Sequence, residues 1–297
     1  MNYGHDLIFG TFITPAAHPT HKAVELAVAS ENAGLDLVTF QDHPYNPSFH
    51  DTWTLLTYVA SQTERITVAG NVLNLPLRNP AVLARAAASL DLLSGGRFEM
   101  GIGSGAFWDG IEGLGGTRLT PGESIEALEE AIDIMRQMWD TSTRRGVQVD
   151  GKHYTIRGAR RGPAPAHDIG IWVGAYKPRI LRMTGRLADG WLPSLGYLPE
   201  GPSELAEMNR HIDEGAAKAG REPSAIRRML NINGQFATQG QGLLVGPPAQ
   251  WAEQIAEIAT TYGTSGFIVA ADDPYTIETF GEEVVPAVRE LAGTPVG

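Results

Sequence analysis

Residues 80–105 read PAVLARAAASLDLLSGGRFEMGIGSG, and they hold one complete repeat of the pattern that decides the fold. An Ala-rich helix spans Pro80–Leu93, with proline near its start, where no backbone donor is needed. Gly95-Gly96 follows its end, and glycine tolerates the left-handed conformation that stops a helix. Phe98–Ile102 is an apolar strand, and Gly103–Leu119 is a long glycine-rich connection.

The same alternation extends in both directions. Upstream, Leu7–Phe12, Leu35–Phe40 and Ile66–Val72 read as strands, separated by helices over His21–Ala33 and Thr52–Ala60. Downstream, Pro121–Trp139 is a strong amphipathic helix, with Ile125, Leu128, Ile132, Met135 and Trp139 at spacings of three and four. Strands follow at Ile169–Val173, Gly190–Pro193, within Ile226–Phe236, and at Phe267–Ala270. Helices are expected at Pro178–Leu187, Ser203–Ala219, Pro248–Tyr262 and Ile277–Leu291. Eight apolar strands alternating with helices imply a parallel sheet buried on both faces. That number favours closure into an α/β (β/α)8 TIM barrel, one domain over residues 1–297. The alternative is an open doubly wound sheet, but the first strand-to-helix loop, Thr11–Thr20, lacks a G-x-G-x-x-G. Residues 141–168 read as an insertion within the barrel, carrying a hairpin over Val147–Ile156 around Asp150-Gly151.

Composition narrows the function classes. The 297 residues contain no cysteine, which excludes disulfides, thiolate catalysis and Cys-ligated metals. Net charge is −11, and no basic run exceeds Arg160-Arg161 or Arg227-Arg228, so no nucleic-acid partner is expected. No apolar run is long enough for a membrane span. The first residues lack the basic and apolar regions of a signal peptide, so a cytoplasmic protein is expected. Neither a histidine-carboxylate metal cluster nor a G-x-S-x-G elbow is present.

In a barrel of this type, chemistry sits after the strands. After strand two come Asp42-His43; His43 suits a general acid or a hydrogen-bond donor, and the plainer reading is a capping Asp beside a solvated His. After strand three, Gly70-Asn71-Val72 suggests a bulge or a simple barrel kink. After strand four, Gly101-Ile102-Gly103-Ser104-Gly105 would let backbone approach a flat ring or a phosphate, or merely turn the chain. After strand five, Gly174-Ala175-Tyr176-Lys177-Pro178-Arg179 runs straight into a helix, a plausible anion site or a solvated helix start. Lys177 as a Schiff-base amine would imply an aldolase, but a helix start is wrong for a desolvated amine. Phe12, Phe49, Trp53, Phe107, Trp108, Trp191 and Tyr197 are candidates for an aromatic pocket or for core.

Taken together, these segments resemble the luciferase-like superfamily of flavin and deazaflavin oxidoreductases over nearly the whole chain. The matching stretches are Gly34-Leu35-Asp36-Leu37-Val38 leading to Asp42-His43, Arg78-Asn79-Pro80-Ala81-Val82-Leu83-Ala84, Leu90-Asp91-Leu92-Leu93-Ser94-Gly95-Gly96-Arg97, Gly101–Gly105, Val173-Gly174-Ala175 and Ala188-Asp189-Gly190-Trp191. The resemblance implies a ring bound at the strand carboxyl ends, with a non-prolyl cis peptide at Asn71-Val72. It places Asp42 and His43 at the ring, Gly103, Ser104 and Gly105 along it, and Gly174, Ala175, Tyr176 and Lys177 at the phosphate-bearing tail. It further implies coenzyme F420 as cofactor, with FMN and a monooxygenase reaction as the alternative, and a homodimer through helices two and three, where Ala84–Ala88 would permit close packing. A deazaflavin carries carbon at position 5 and does not support the oxygen chemistry of FMN.

The chain departs from the family at two places. Sugar-phosphate and alcohol dehydrogenases of the family carry glutamate after the glycine loop, where this chain has Ala106, and a tryptophan where it has Pro44-Tyr45-Asn46-Pro47. Those two substrates are therefore not expected, and Asp109, or His43 alone, is left as the candidate acid. A barrel that only stores a flavin would lack such polar groups at the ring.

Overall fold

The computed structural model describes residues 2–293. In chain order its first half runs β1 (Ile8–Ile13), α1 (Lys22–Asn32), β2 (Leu37–Phe40), α2 (Thr52–Gln62), β3 (Thr67–Gly70), β4 (Leu73–Asn74), α3 (Pro80–Ser94), β5 (Phe98–Gly103), α4 (Trp108–Gly113) and α5 (Pro121–Trp139). A hairpin of β6 (Val147–Asp150) and β7 (Thr155–Ala159) precedes β8 (Ile171–Val173), α6 (Pro178–Leu187), β9 (Gly190–Trp191), α7 (Glu204–Lys218) and β10 (Arg227–Ile232). β11 (Gln235–Phe236), β12 (Val245–Gly246), α8 (Pro248–Tyr262), β13 (Gly266–Ala270), α9 (Pro274–Thr279) and α10 (Val285–Leu291) follow.

The barrel wall runs β1-β2-β3-β5-β8-β9-β10-β13, every pairing is parallel, and β13 pairs back onto β1. The expected eight-stranded closure is therefore present. Phe9, Ile13, Val38, Phe40, Val68 and Phe98 face the helices and pack with their apolar stripes. Leu37, Ala69, Trp172, Leu192, Met229 and Ile268 fill the barrel interior, joined by Ile8, Phe12 and Val72. This inside–outside division follows the two-residue period of a strand.

Several elements differ from their sequence-based bounds, each for a local reason. Strand three is broken: β3 ends at Gly70, the Asn71–Val72 peptide is cis, and β4 resumes pairing with β5 at Leu73. The glycine-rich connection folds a short helix, α4, that begins directly after Phe107. The final helix is interrupted by a π-helical turn at Phe280–Val284. Pro286 has no N–H for an interior helical bond, and a widened turn accommodates it. Strand seven stops at Ile232, and Gln235–Phe236 leaves the wall to pair with β12. The hairpin extends to Ala159, and its turn is pinned to α5 because the Glu130 carboxylate accepts from the amides of Lys152, His153 and Tyr154. Ala84, Ala87 and Ala88 are fully buried against their own barrel, whereas Val82 and Leu93 are exposed. Ala84, Ala87 and Ala88 thus pack α3 within its own chain, the other use of small residues on a helix, because the i, i+3, i+4 positions of α3 follow the barrel.

At the amino ends of the strands, polar ties lock helices to the wall. The Arg97 guanidinium donates to the carbonyls of Ala60, Thr63, Ile66 and Ser94. Asp189 accepts from both Arg136 and the Ile171 amide. Buried Asp91 accepts from the amides of Ala166 and His167, and lies 2.9 Å from His167 Nδ1. Hydrogen bonding to Glu99 outweighs burial and, with the Asp91 charge, holds the His167 imidazole up at about 8. A raised histidine stabilises the fold fully below its ordinary value and loses that contribution as pH rises through the folded one. We predict that the urea midpoint falls between pH 6.5 and about 8 in the native chain, and that this fall is flattened in His167→Gln. Equal slopes for the two proteins across that window would refute the tie.

Candidate functional site

The break in strand three organises the carboxyl end of the barrel. With Asn71 aimed inward, its amide nitrogen donates to Asn231 Oδ1 at 2.6 Å and to the Thr39 hydroxyl at 3.1 Å. Asn231 donates in return to Asn71 Oδ1 and to Ser194 Oγ, both at 3.1 Å. β3 and β10, which lead into Asn71 and carry Asn231, stand opposite each other in the eight-strand ring, as do β2 and β9. The four side chains therefore form a polar floor across the barrel mouth. Their mutual bonds satisfy groups that would otherwise be costly to bury. The floor had no motif in the sequence. Its only signal is polar residues at inward positions of otherwise apolar strands.

The glycine run after strand four answers to that break. A Cβ at Gly101 would lie 1.9 Å from the Gly70 carbonyl oxygen, and one at Gly103 would lie 2.6 Å from Val72 Cγ2. Gly105 has φ +100°, and Pro76 and Trp108 crowd its missing side chain. Gly101 and Gly103 thus admit the displaced backbone and the Val72 side chain, and Gly105 turns the chain outward. Val72 also touches the open face of Gly174, where a Cβ would sit 3.4 Å from Cγ1. Val72 thus meets both Gly103 and Gly174, with Asn71, Ser104 and Gly105 next to them along the chain.

The strand-two pair divides its labour. Asp42 is buried and accepts bidentately from Arg78 Nε and Nη2 at 2.9 Å, and from the Asn74 amide at 2.9 Å. It anchors the β4–α3 connection to the end of β2. His43 is half-buried, its ring edge-on to Tyr45 at 5.4 Å and to Phe107 at 5.0 Å. Its Nδ1 lies 2.6 Å from the Tyr45 hydroxyl. Burial pushes the imidazole below its ordinary value, against the pull of Asp42, and so favours the neutral ring. Tyr45 lies over Gly110 of α4, where a Cβ would meet its ring at 2.6 Å. The helix absent from the sequence reading is therefore what brackets the histidine.

After β8, Ala175 is buried and its carbonyl accepts from the Trp191 indole, while the Tyr176 hydroxyl accepts from the Ser194 amide. This links the strand-five end to the polar floor. Lys177 caps the start of α6, exposed and without an ion pair among the described residues, whereas Arg179 is taken by Glu126. Asp109 does not join these groups: its side chain is 98% exposed and paired with Arg118. Nor do all the aromatics converge. Trp191 is buried, and Trp53 packs on Phe98 in the core, while Phe107 and Tyr197 remain exposed beside His43 and Tyr176. Among the described residues there is no group of three or more metal-ligating side chains.

Asp42 as an anchor makes a definite prediction. Asp42→Asn keeps the shape but leaves the Arg78 guanidinium with Asp51, at 3.3 Å, as its carboxylate partner, and should destabilise the fold by about 3 kcal/mol. A urea midpoint equal to that of the native chain would show that Asp42 does not hold this connection.

Comparison with known proteins assigns the chain to a family. Residues 7–237 match the model of the luciferase-like monooxygenase family. An F420-dependent glucose-6-phosphate dehydrogenase of Rhodococcus erythropolis is 32% identical over 229 residues, covering 74% of this chain. That match spans 66% of the relative, just under two thirds of its length. A 5,10-methylenetetrahydromethanopterin reductase of Archaeoglobus fulgidus is 29% identical over 88% of this chain and 70% of its own length. Among solved structures, an F420-dependent secondary alcohol dehydrogenase in complex with an F420-acetone adduct superposes with a TM-score of 0.83 at 19% identity. It covers 96% of this chain and 100% of its own. The chain belongs to the luciferase-like monooxygenase family.

Proposed function

We propose that the protein is a coenzyme F420-dependent oxidoreductase that transfers hydride between the deazaflavin and a small organic substrate. The observation that carries this reading is that a relative 32% identical over 74% of the chain is an F420-dependent dehydrogenase, and a second relative, aligned over 88% of the chain, is a methylenetetrahydromethanopterin reductase. The site offers groups suited to such a ring. Asn74 Oδ1 is buried with no hydrogen-bond partner, His43 Nε2 makes no hydrogen bond among the described residues, and the Lys177 ammonium is unpaired.

Asn71, Val72, Gly103, Ser104, Gly105 and His43 would hold the ring, with Asp42 fixing the connection beneath them. Gly174, Ala175, Tyr176 and Lys177 would take the anionic tail, where the start of α6 adds its positive end to the lysine charge. When bound, the deazaflavin supplies the hydride site, and the protein supplies position and electrostatics. His43 donates a hydrogen bond as charge develops on the partner. Ala106 and the exposed Asp109 leave the loop after β5 without an inward carboxylate, which argues against the sugar-phosphate and alcohol reactions of the relatives.

The runner-up is an FMN-dependent monooxygenase, favoured by the name of the family model. Fluorescence titration separates the two. The expected result is saturable binding of F420, at least tenfold weaker in Lys177→Ala, and no saturable binding of FMN. Tight FMN binding with no affinity for F420 would overturn the proposal.

A further inference from the structure

His43 Nδ1 and the Tyr45 hydroxyl are 2.6 Å apart, and no other hydrogen bond reaches either ring's polar atoms among the described residues. One of the two must donate to the other. A phenol is the stronger donor and a neutral imidazole nitrogen the stronger acceptor. The phenol proton also cannot be lost here: burial, then the Asp42 charge, pushes Tyr45 up to about 12. If Nδ1 carried the ring proton, the phenol proton would have no acceptor within the protein, and Nε2 would be an acceptor. With the phenol donating, both groups are satisfied by one bond and Nε2 carries the proton.

The bracket around the pair holds this arrangement. Phe107 meets the imidazole edge-on from the side of α4 at 70°, Tyr45 meets it at 81°, and Gly110 leaves room for the tyrosine ring alone. The phenol oxygen has little freedom to leave Nδ1. Asp42, the neighbouring charge, is already committed to Arg78 and the Asn74 amide and does not compete for the imidazole.

We propose that Tyr45 is a positioning residue that locks His43 as the Nε2–H tautomer, so that His43 serves the site as a neutral hydrogen-bond donor and not as its acid. The reason lies in the proton balance. Giving up the Nε2 proton would leave an imidazolate, unless the Tyr45 proton moved to Nδ1 and left a phenolate. A half-buried phenol with its proton held this firmly opposes that relay. His43 therefore polarises the group it faces, and any proton that the reaction consumes comes from solvent or from the substrate. This role rests on placing His43 at the proposed cofactor site, but the tautomer itself does not.

The test is nitrogen-15 NMR of the ring-labelled chain without cofactor, with the His43 signals assigned by their loss in His43→Gln. The expected spectrum near pH 7.5 shows a bare, pyridine-like Nδ1 and a protonated, pyrrole-like Nε2. In Tyr45→Phe, the tautomers should mix and the His43 titration midpoint should rise, because a bond that favoured the neutral ring has gone, while burial continues to hold it below its ordinary value. A protonated Nδ1 in the native chain would overturn the proposal, whether or not Tyr45→Phe folds. So would a Tyr45→Phe spectrum with unchanged tautomer and midpoint. Because the measurement needs neither F420 nor turnover, its failure is separate from failure of the cofactor assignment.

Discussion

The reciprocal amide bond between Asn71 and Asn231 spans the barrel mouth, and much of the carboxyl end is arranged around it. It joins strands on opposite sides of the ring, and through Thr39 and Ser194 it reaches two more. Asn71 lies two residues beyond inward-facing Ala69 and so faces inward itself, and only after it does strand three leave its register. It does so through the cis Asn71–Val72 peptide and resumes pairing at Leu73. The displaced backbone then presses on strand four, and the absence of side chains at Gly101 and Gly103 is the direct consequence. A polar floor, a bulge and a glycine run are three parts of one packing solution.

The two ends of the barrel carry different physics. At the amino end, Arg97, Asp91 and Asp189 are consumed by hydrogen bonds to backbone and to neighbouring side chains, and they tie the helical layer to the wall. At the carboxyl end, Asn74 Oδ1, His43 Nε2 and Lys177 have no partner among the described residues. His5 Nε2 at the amino end is buried without a partner too, so it is the position of these groups at the strand ends, above the hydrogen-bonded floor, that suits a ligand-binding barrel. The segments that carried the family resemblance are therefore partly structural. Leu-Ser-Gly-Gly-Arg and Ala-Asp-Gly mark the base that holds the barrel, while the proposed chemistry lies at the other end.

The barrel was legible because each strand is an apolar run bounded by helix stops such as Gly34, Gly95 and Gly220, signals that are local in the chain. The break at Asn71-Val72 was anticipated from Gly70 and from resemblance. What lay beyond local reading was set by contacts distant in sequence. Asn231 matters because Asn71, 160 positions earlier, faces it. Helix α4 was read as plain connection because its glycines conceal it, yet Gly110 is what seats Tyr45 beside His43. The resemblance places Asp42 at the ring and the plainer reading makes it a structural cap, and the fold shows its carboxylate held by Arg78.

The central claim is that the strand-three bulge above the amide floor is the seat of the proposed deazaflavin. A crystal structure of the chain grown with F420 tests this most directly. The account predicts the ring against Val72 and the Gly103–Gly105 loop, His43 Nε2 within hydrogen-bond distance of a cofactor or substrate atom, the phosphate at Lys177, and the Asn71–Asn231 bond intact beneath. Ring density elsewhere on the barrel, or an Asn71–Asn231 pair broken by the bound ring, would contradict it.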